Sequence, residues 1–412
     1  MEKTLLKNIF SMFSIQGINY LIPLITVPYL VRVLGLDGFG KYSIILAVIQ
    51  YLVILTDYGF SLSASRQISL NIGNKKVISQ IFCAIICCKI VISLLLFLTL
   101  SFIILHSTTY KGDFWLFFNG FGIVIGASFF PVWLYQGYEK MHWIAVSNFI
   151  AKISGLLMIF LFVRNRGDIN LAIMVQSYAG MIAAAFAFFE ARRGDFIYFI
   201  IPTLQDIKKQ LKMGWSIFLS TFFVSMYTTS IPLILGFNAG AEAVGIYNSA
   251  DKLKQALQGI IGPVSQAIYP RSNRLMMDSL AQCVRFVNRV SVILIPMMLL
   301  LSVVCYCMAD YIVFIAFGPE HLSSVYVFKI IVWIPPIVAL ANMLGIQIML
   351  PLGLNKQFGL VYVIIGTIGL PLMFITSYFY SFIGVSYASL FLEIIIVSIF
   401  SYIVFKKVKG KL

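Results

Sequence analysis

Charge is scarce in this sequence and acidic charge scarcer still: 11% of residues are charged, with 15 Asp and Glu against 30 Lys and Arg. Soluble domains carry about 25% charged residues, so a water-exposed globular surface is excluded over most of the chain. Histidine is limited to His106, His142 and His321, each alone, and no HExxH pattern or nucleophile–base arrangement is readable around them. The absence of a GxxxxGK[ST] loop excludes ATP hydrolysis at a Walker-type site. Long polar loops are missing too. The longest, residues 191–212, leaves no room for a soluble catalytic domain. The six cysteines, Cys83, Cys87, Cys88, Cys283, Cys305 and Cys307, fall in apolar runs or beside basic loops, which argues against a disulfide framework. Cys83 and Cys87 share a helix face, but no His or acid joins them as a metal site would require.

What fills the chain instead is hydrocarbon. It is 60% hydrophobic and 15% aromatic, with a mean hydropathy of +0.96, the composition of a polytopic membrane protein. The start, MEKTLLKNIF, leads straight into a span-length run rather than a short apolar segment with a cleavage site, so it reads as mature protein. With about 20 apolar residues needed per span, twelve are expected: 9–30, 42–60, 81–105, 114–136, 144–163, 170–190, 213–235, 245–269, 286–308, 326–350, 359–379 and 382–405. An even count puts both termini on one side. Placing them in the cytoplasm gives the inner segments 20 of the 30 basic residues, clustered near Lys75, Arg192, Lys208, Arg271 and Lys406. The outer loops then hold five, Arg32, Lys41, Lys111, Arg164 and Arg166, a positive-inside distribution. The net charge of +15 is thus explained by topology, without a nucleic-acid partner.

Sliding the chain against itself by 205 residues superimposes two sets of six spans. At that one gapless offset LGLDGFGKY meets AGAEAVGIY, pairing Gly35 with Gly240, Asp37 with Glu242, Gly40 with Gly245 and Tyr42 with Tyr247. Arg66 falls on Arg271 and Pro131 on Pro336. Six spans per half make the repeats parallel, which implies two lobes, 1–205 and 206–412, related by a pseudo-two-fold axis along the membrane normal with a cavity between them.

The eighth span is the least apolar, and its polar residues are ordered. Asn248, Asp251, Gln255, Gln258, Gly262 and Ser265 form one helical stripe, with Lys252 and Lys254 beside it. Lipid cannot face such a stripe. It lines either a hydrated cavity, the favoured alternative, or a buried polar seam. The second span repeats the theme with Ser43, Gln50 and Asp57, and Gln50 and Gln255 are repeat mates. The first span adds Ser11, Gln16, Asn19, Tyr20 and Thr26, and the seventh adds Ser216, Thr221, Ser225, Tyr227, Thr228 and Thr229. Lys152 and Glu393 lie near mid-span, where a charge costs about 2.5–3.5 kcal/mol to insert. Each is either functional or paired with a structural partner. Lys89 and Lys329, nearer span ends, are expected to snorkel. Gly122 and Gly126 form GxxxG, a close-packing signal.

The run NYLIPLITVPYLVRVLGLDGFGKY and the subsequent IQYLVILTDYGFSLSASR resemble the N-terminal signature of Wzx-type O-antigen flippases. These belong to the polysaccharide transport branch of the MATE-like MOP superfamily. The resemblance is densest over residues 8–70 and continues through FFPVWLYQGYEKM and VGIYNSADKL. It implies an all-α, V-shaped transporter of twelve helices whose first, second, seventh and eighth line the cleft. It implies an activity too: moving undecaprenyl-pyrophosphate-linked oligosaccharide across the bacterial inner membrane by alternating access, the polyprenyl tail staying in lipid between lobes. Bilayer passage of such a headgroup is otherwise blocked by the desolvation of its charges. On this basis Arg66 and Arg271 are candidates for first contact with pyrophosphate, and Lys152, Lys252, Lys254, Gln50, Gln255 and Gln258 for holding it. Asp57 and Asp251 are candidates for coupling to a proton or sodium ion, or for balancing those bases, and Glu393 is a candidate for coupling or a protonated, hydrogen-bonded structural residue. No cofactor is implied, and an O-antigen polymerase and chain-length regulator are the implied partners.

A MATE-like exporter of another small or lipid-linked substrate shares the fold, but cationic cargo would want an acidic cleft. A membrane polymerase or glycosyltransferase needs a larger outer loop than this chain has, and a structural scaffold would leave the charged spans unexplained. The orientation is tested by fusing a reporter that is active only in the cytoplasm. Fusions within 191–212 and after Lys411 should be active and fusions at Lys111 and Arg166 silent; the opposite pattern would overturn it.

Overall fold

The computed structural model describes the backbone of residues 2–108 and 110–409 and their side chains, except residues 2–21, 216, 220, 223, 224, 227, 228, 320, 408 and 409. The polar positions Ser11, Gln16, Asn19, Tyr20, Ser216, Tyr227 and Thr228 therefore lie outside the described side chains. Every regular element among the described residues is helical, as a chain with no water to satisfy its backbone requires.

The first half runs α1 (Glu2–Asp57), α2 (Phe60–Ser69), α3 (Lys75–His106), α4 (Phe114–Phe129), α5 (Val132–Gly137), α6 (His142–Phe162) and α7 (Ile169–Arg193). The second runs α8 (Leu204–Thr229), α9 (Ile231–Gln258), α10 (Ile261–Asp278), α11 (Leu280–Cys307), α12 (Ala309–Phe317), α13 (Ser323–Ile331), α14 (Ile334–Leu344) with a π-helical turn over Gly345–Met349, and α15 (Asn355–Lys409). Eight segments among the described residues are long and apolar enough to cross a membrane. Two of these, of 48 and 53 residues, are long enough for two crossings each; α8 and α9, where the seventh and most of the eighth expected spans fall, are not among the eight, and the helical path is consistent with twelve spans.

The long helices divide at breaks. Gly35 (φ 72°, ψ 173°) interrupts α1 and Gly240 (φ 83°, ψ 178°) interrupts α9, conformations essentially reserved for glycine. These two residues are repeat mates. Five residues further on, the mates Gly40 and Gly245 make equivalent contacts. A Cβ on Gly40 would lie 1.7 Å from the Ala241 carbonyl oxygen, and one on Gly245 would lie 2.0 Å from that of Leu36. Leu36 and Ala241 are themselves mates, so the two helix starts cross face to face, each glycine admitting the other strand's backbone. Burial follows the same symmetry: Asp37 and Glu242 are exposed, while Phe39, Gly40 and Tyr42, like Val244, Gly245 and Tyr247, are buried. The 205-residue repeat is thus written in the backbone.

By packing, the chain divides into two compact units, one of residues 1–40 with 230–412 and the other of 41–229. This is a different partition from the sequence halves, because 1–40 packs with the later helices and α8 with the earlier ones. In the 41–229 unit, α4 lies along α7. Gly126 backs onto the Gly180 carbonyl group and Gly122 onto Ser177, so the GxxxG spacing does mark close packing. A second core joins Phe60, Ile68, Phe82, Trp133 and Tyr135, and the Tyr135 hydroxyl donates to the Ala187 carbonyl. In the other unit α9 packs on α15 and α13, and α11 on α14. Outside the spans, the Asp168 carboxylate accepts from the backbone N–H groups of Arg164 and Asn165, both at 2.8 Å, which hold its carboxyl below the usual range.

Gly40→Ala and Gly245→Ala should each destabilise the protein by about 1–3 kcal/mol, the scale of overpacking. Gly180→Ala, whose Cβ would meet nothing within 4 Å, should be neutral or slightly stabilising. Thermal unfolding in detergent measures the difference, and equal Tm values for all three would refute the crossing.

Candidate functional site

Among the described residues, each unit holds a cluster of charge inside its helices. In the 41–229 unit, α1 ends at Asp57, and the chain turns through Tyr58 (φ 46°) and Gly59 (φ 74°) before α2 begins. A tyrosine in the left-handed region is strained. It is held by the stacking of its ring on Phe218 of α8, 5.0 Å between centroids and 10° between planes. The break leaves the Asp57 carboxylate pointing at α3. There Lys89 Nζ donates to it at 2.9 Å and lies 4.3 Å from the Trp133 ring centroid. Ser61, one turn beyond the break, donates to the same carboxylate at 2.7 Å.

Lys89 is only 3% exposed in its side chain and Asp57 32%, so the pair has a hidden cation and an accessible anion. The expectation that Lys89 snorkels is therefore corrected: α3 carries it too deep in the unit, and Asp57 with Trp133 satisfies it there. A signal for this pairing existed in the sequence. Positions 57 and 89 are equidistant from Gly73, whose φ of 100° lies in the turn between α2 and α3, and an antiparallel hairpin folded there brings the two to one depth. Lys329 does sit at an accessible end, bonded to Asp310 at 2.7 Å.

In the other unit the polar stripe of α9 forms its own cluster. Lys254 Nζ lies 2.5 Å from Asp251, Gln255 Nε2 donates to the same carboxylate at 2.6 Å, and Lys252 donates to Gln255 at 3.2 Å. Glu393 of α15 is within electrostatic reach of Lys254 and of Tyr362. Asp57 thus faces Lys89, a base outside the expected set, and Asp251 faces Lys254. The stripe is not uniform. Asn248, Asp251 and Gln258 are half-buried and Gln255 exposed, but Ser265 is buried, taking 2.9 Å and 3.1 Å bonds at its hydroxyl and carbonyl from Gln347. At Ser265 the seam alternative holds, because the π-helical turn carries Gln347 into the helix.

The remaining candidates are scattered within their units. Arg66 is exposed on α2 and Gln50 on α1, while Lys152 is half-buried on α6. Arg271 on α10 lays its guanidinium over Phe286, 4.6 Å from the ring centroid. Two buried polar locks lie outside the expected set: a reciprocal amide pair between Gln67 and Gln210, at 2.8 and 3.1 Å, and the bond of 3.1 Å from Ser272 to Gln347. Gln67 and Ser272 are repeat mates, a coincidence that the 205-residue offset would have flagged.

This architecture is similar to that of solved membrane transporters. A multidrug resistance MATE family transporter of the MOP superfamily, in its inward-facing conformation, matches with a TM-score of 0.73 at 12% identity, over 95% of this chain and 96% of that one. The lipid II flippase MurJ, in an inward closed conformation, matches with a TM-score of 0.75 at 14% identity, over 95% of this chain and 87% of that one. The fold is that of the MOP-superfamily transporters, and the protein is a multi-pass membrane transporter rather than an enzyme. Within that class, the chain belongs to the family described as "Polysaccharide biosynthesis protein", whose model matches residues 5–276. It is 31% identical over 396 residues to the "Putative O-antigen transporter" of Escherichia coli (strain K12), covering 96% of this chain and 95% of that protein. It is 27% identical over 398 residues to the protein of the same description from Shigella dysenteriae, covering 95% and 98%.

Removing one partner of a buried ion pair costs about 3–5 kcal/mol, and the exposure of Asp57 reduces that. Asp57→Asn, which strands a buried cation, should cost on the order of 2–3 kcal/mol. Lys89→Met should cost less, because it leaves an anion that can reach a polar environment. Combining the two should recover part of the loss in Tm; additive losses would show that the pair is not coupled.

Proposed function

We propose that the protein is a flippase that carries undecaprenyl-pyrophosphate-linked O-antigen repeat units from the cytoplasmic to the periplasmic leaflet of the bacterial inner membrane. The observation that carries this reading is the full-length similarity, at 31% identity, to the Escherichia coli "Putative O-antigen transporter". The shared fold with a lipid II flippase supports it, since a polyprenyl-linked headgroup poses the same physical problem. Anionic cargo also suits the lysines Lys152, Lys252 and Lys254 carried within the spans. Transport is by alternating access, with both termini in the cytoplasm.

In this reading Arg66 and Arg271 meet the pyrophosphate first, since guanidinium forks match phosphate oxygens bidentately. Lys152, Lys252 and Lys254 supply further positive charge, and Gln50, Gln255 and Gln258 supply neutral hydrogen bonds to sugars. Asp57, Asp251 and Glu393 are the groups through which a proton or sodium gradient would act. An O-antigen polymerase and a chain-length regulator receive the product on the far side.

The test is a flipping assay with the purified chain in vesicles carrying a fluorescent undecaprenyl-diphosphate oligosaccharide. Arg66→Ala and Arg271→Ala should each slow flipping about ten-fold, the loss of roughly 1.4 kcal/mol of a charge-assisted contact, with unchanged Tm. Rates equal to wild type would sink the site assignment, and a wild-type protein that moves no lipid-linked sugar would sink the function.

A further inference from the structure

The chain between α7 and α8, residues 196–203, is a strap with no regular structure of its own. Phe196 and Ile197 anchor its first residues in the core. Beyond them the Tyr198 N–H donates to the Ser79 hydroxyl at 3.0 Å and the Ile200 N–H to Cys83 Sγ at 3.4 Å, so the strap follows α3 for one helical turn. What comes next does not suit water. Ile201 is 93% exposed, and Phe199 and Leu204 are exposed on either side of it. Large apolar side chains displayed together mark a surface that is covered in use.

The start of α8, beside the strap, presents charge. α8 packs on α2 and α3. Ile207 and Leu211 join the core, Gln210 bonds Gln67, and Gly214 lies so near Tyr58 that a Cβ would come 2.5 Å from its carbonyl oxygen. With that face committed, Leu204, Lys208, Lys212 and Trp215 follow one another at steps of four, four and three and form an outward stripe, all four of them exposed. Among the described residues neither Lys208 nor Lys212 forms an ion pair. Asp206, the nearest acid in sequence, accepts from the Thr203 N–H and hydroxyl at 3.0 and 2.7 Å, and its charge acts on Lys209 instead.

Strap and stripe lie at one height. The Asp57–Lys89 bond and the stacking of Tyr58 on Phe218 set Lys89 and Phe218 level with each other. Cys83 is six residues from Lys89 and Lys212 six from Phe218, each about 9 Å back toward the start of its helix. Ile200, bonded at Cys83, therefore sits level with Lys212. That level is the edge of the hydrocarbon: Lys212 immediately precedes the seventh expected span, 213–235, and Trp215 is just inside it, at the boundary that tryptophan favours. A lysine there lays its stem in hydrocarbon and its ammonium among phosphates. A soluble acidic partner would answer the lysines alone. At this height the apolar side chains of Ile201 and Trp215 meet hydrocarbon, and only a lipid supplies that together with negative charge.

We infer that this corner of the 41–229 unit is a binding site for anionic phospholipid, in which Lys208 and Lys212 hold the headgroup phosphate while Ile201 and Trp215 pack on the first part of the acyl chains. The site uses none of the residues assigned to transport and stands or falls independently of the flippase reading. The experiment titrates the full chain in detergent with phosphatidylglycerol or phosphatidylcholine and counts bound lipid by native mass spectrometry. The tightest phosphatidylglycerol should bind at least about ten-fold better than phosphatidylcholine. Lys208→Gln and Lys212→Gln should each weaken it about five-fold, the equivalent of roughly 1 kcal/mol for one lysine at an anionic surface. Both variants should elute and melt as wild type, and Lys111→Gln, in another loop of the unit, should bind as wild type. Excess inorganic phosphate should not displace the lipid. In phosphatidylglycerol nanodiscs, p-benzoylphenylalanine placed at Ile201 should crosslink to lipid. Equal binding of the two lipids, displacement by free phosphate, unchanged affinity in both lysine variants, or a position 201 that crosslinks to no lipid would each overturn the inference.

Discussion

Two backbones touch at Gly40 and Gly245, and the arrangement of the helices around them depends on that contact. A helix that begins at a glycine break can approach another only as near as its side chains allow, about 8–10 Å between axes in ordinary packing. Here each chain segment presents a glycine to the other's carbonyl, at Leu36 and Ala241, and the side chains that would hold them apart are absent. The breaks at Gly35 and Gly240 set the angle at which each new helix leaves the crossing. Beyond each break comes a buried tyrosine, and the two tyrosines differ in their partners: Tyr42 bonds Gln176 and Tyr247 lies 3.4 Å from Ser389.

Charge does not share this symmetry. The Asp57–Lys89 pair joins two helices, whereas Asp251 and Lys254 lie one turn apart on a single helix. The first spans α1 and α3, and so ties the Tyr58–Gly59 break to the body of its unit. The second is an intrahelical pair, with Glu393 of α15 within electrostatic reach of its lysine. Both keep a lysine that the hydrocarbon would otherwise reject.

Much of this was legible in the sequence. Helical class and the repeat came from hydropathy and from one gapless offset, because a membrane forces backbone groups to bond locally and leaves length as the main variable. The polar stripe of the eighth span was legible for the same reason: polar residues have few places to go. What spacing along a single helix could not convey was contact between helices. Lys89 looked like an end-of-span residue until the hairpin at Gly73 set it against Asp57, and Ser265 looked like part of a wet stripe until a π-helical turn brought Gln347 to it.

A contact made by backbone atoms alone has an unusual mutational profile. Its strength is independent of which apolar or polar side chains surround it, and it fails only through substitution at a handful of positions where any added atom intrudes. Duplicated segments joined in this way can drift apart in nearly every side chain without losing the geometry of their crossing. In this chain the two segments share the crossing while one half carries an interhelical ion pair and the other an intrahelical one. The glycines hold the frame constant, and that constancy frees the chemistry of each half to change on its own.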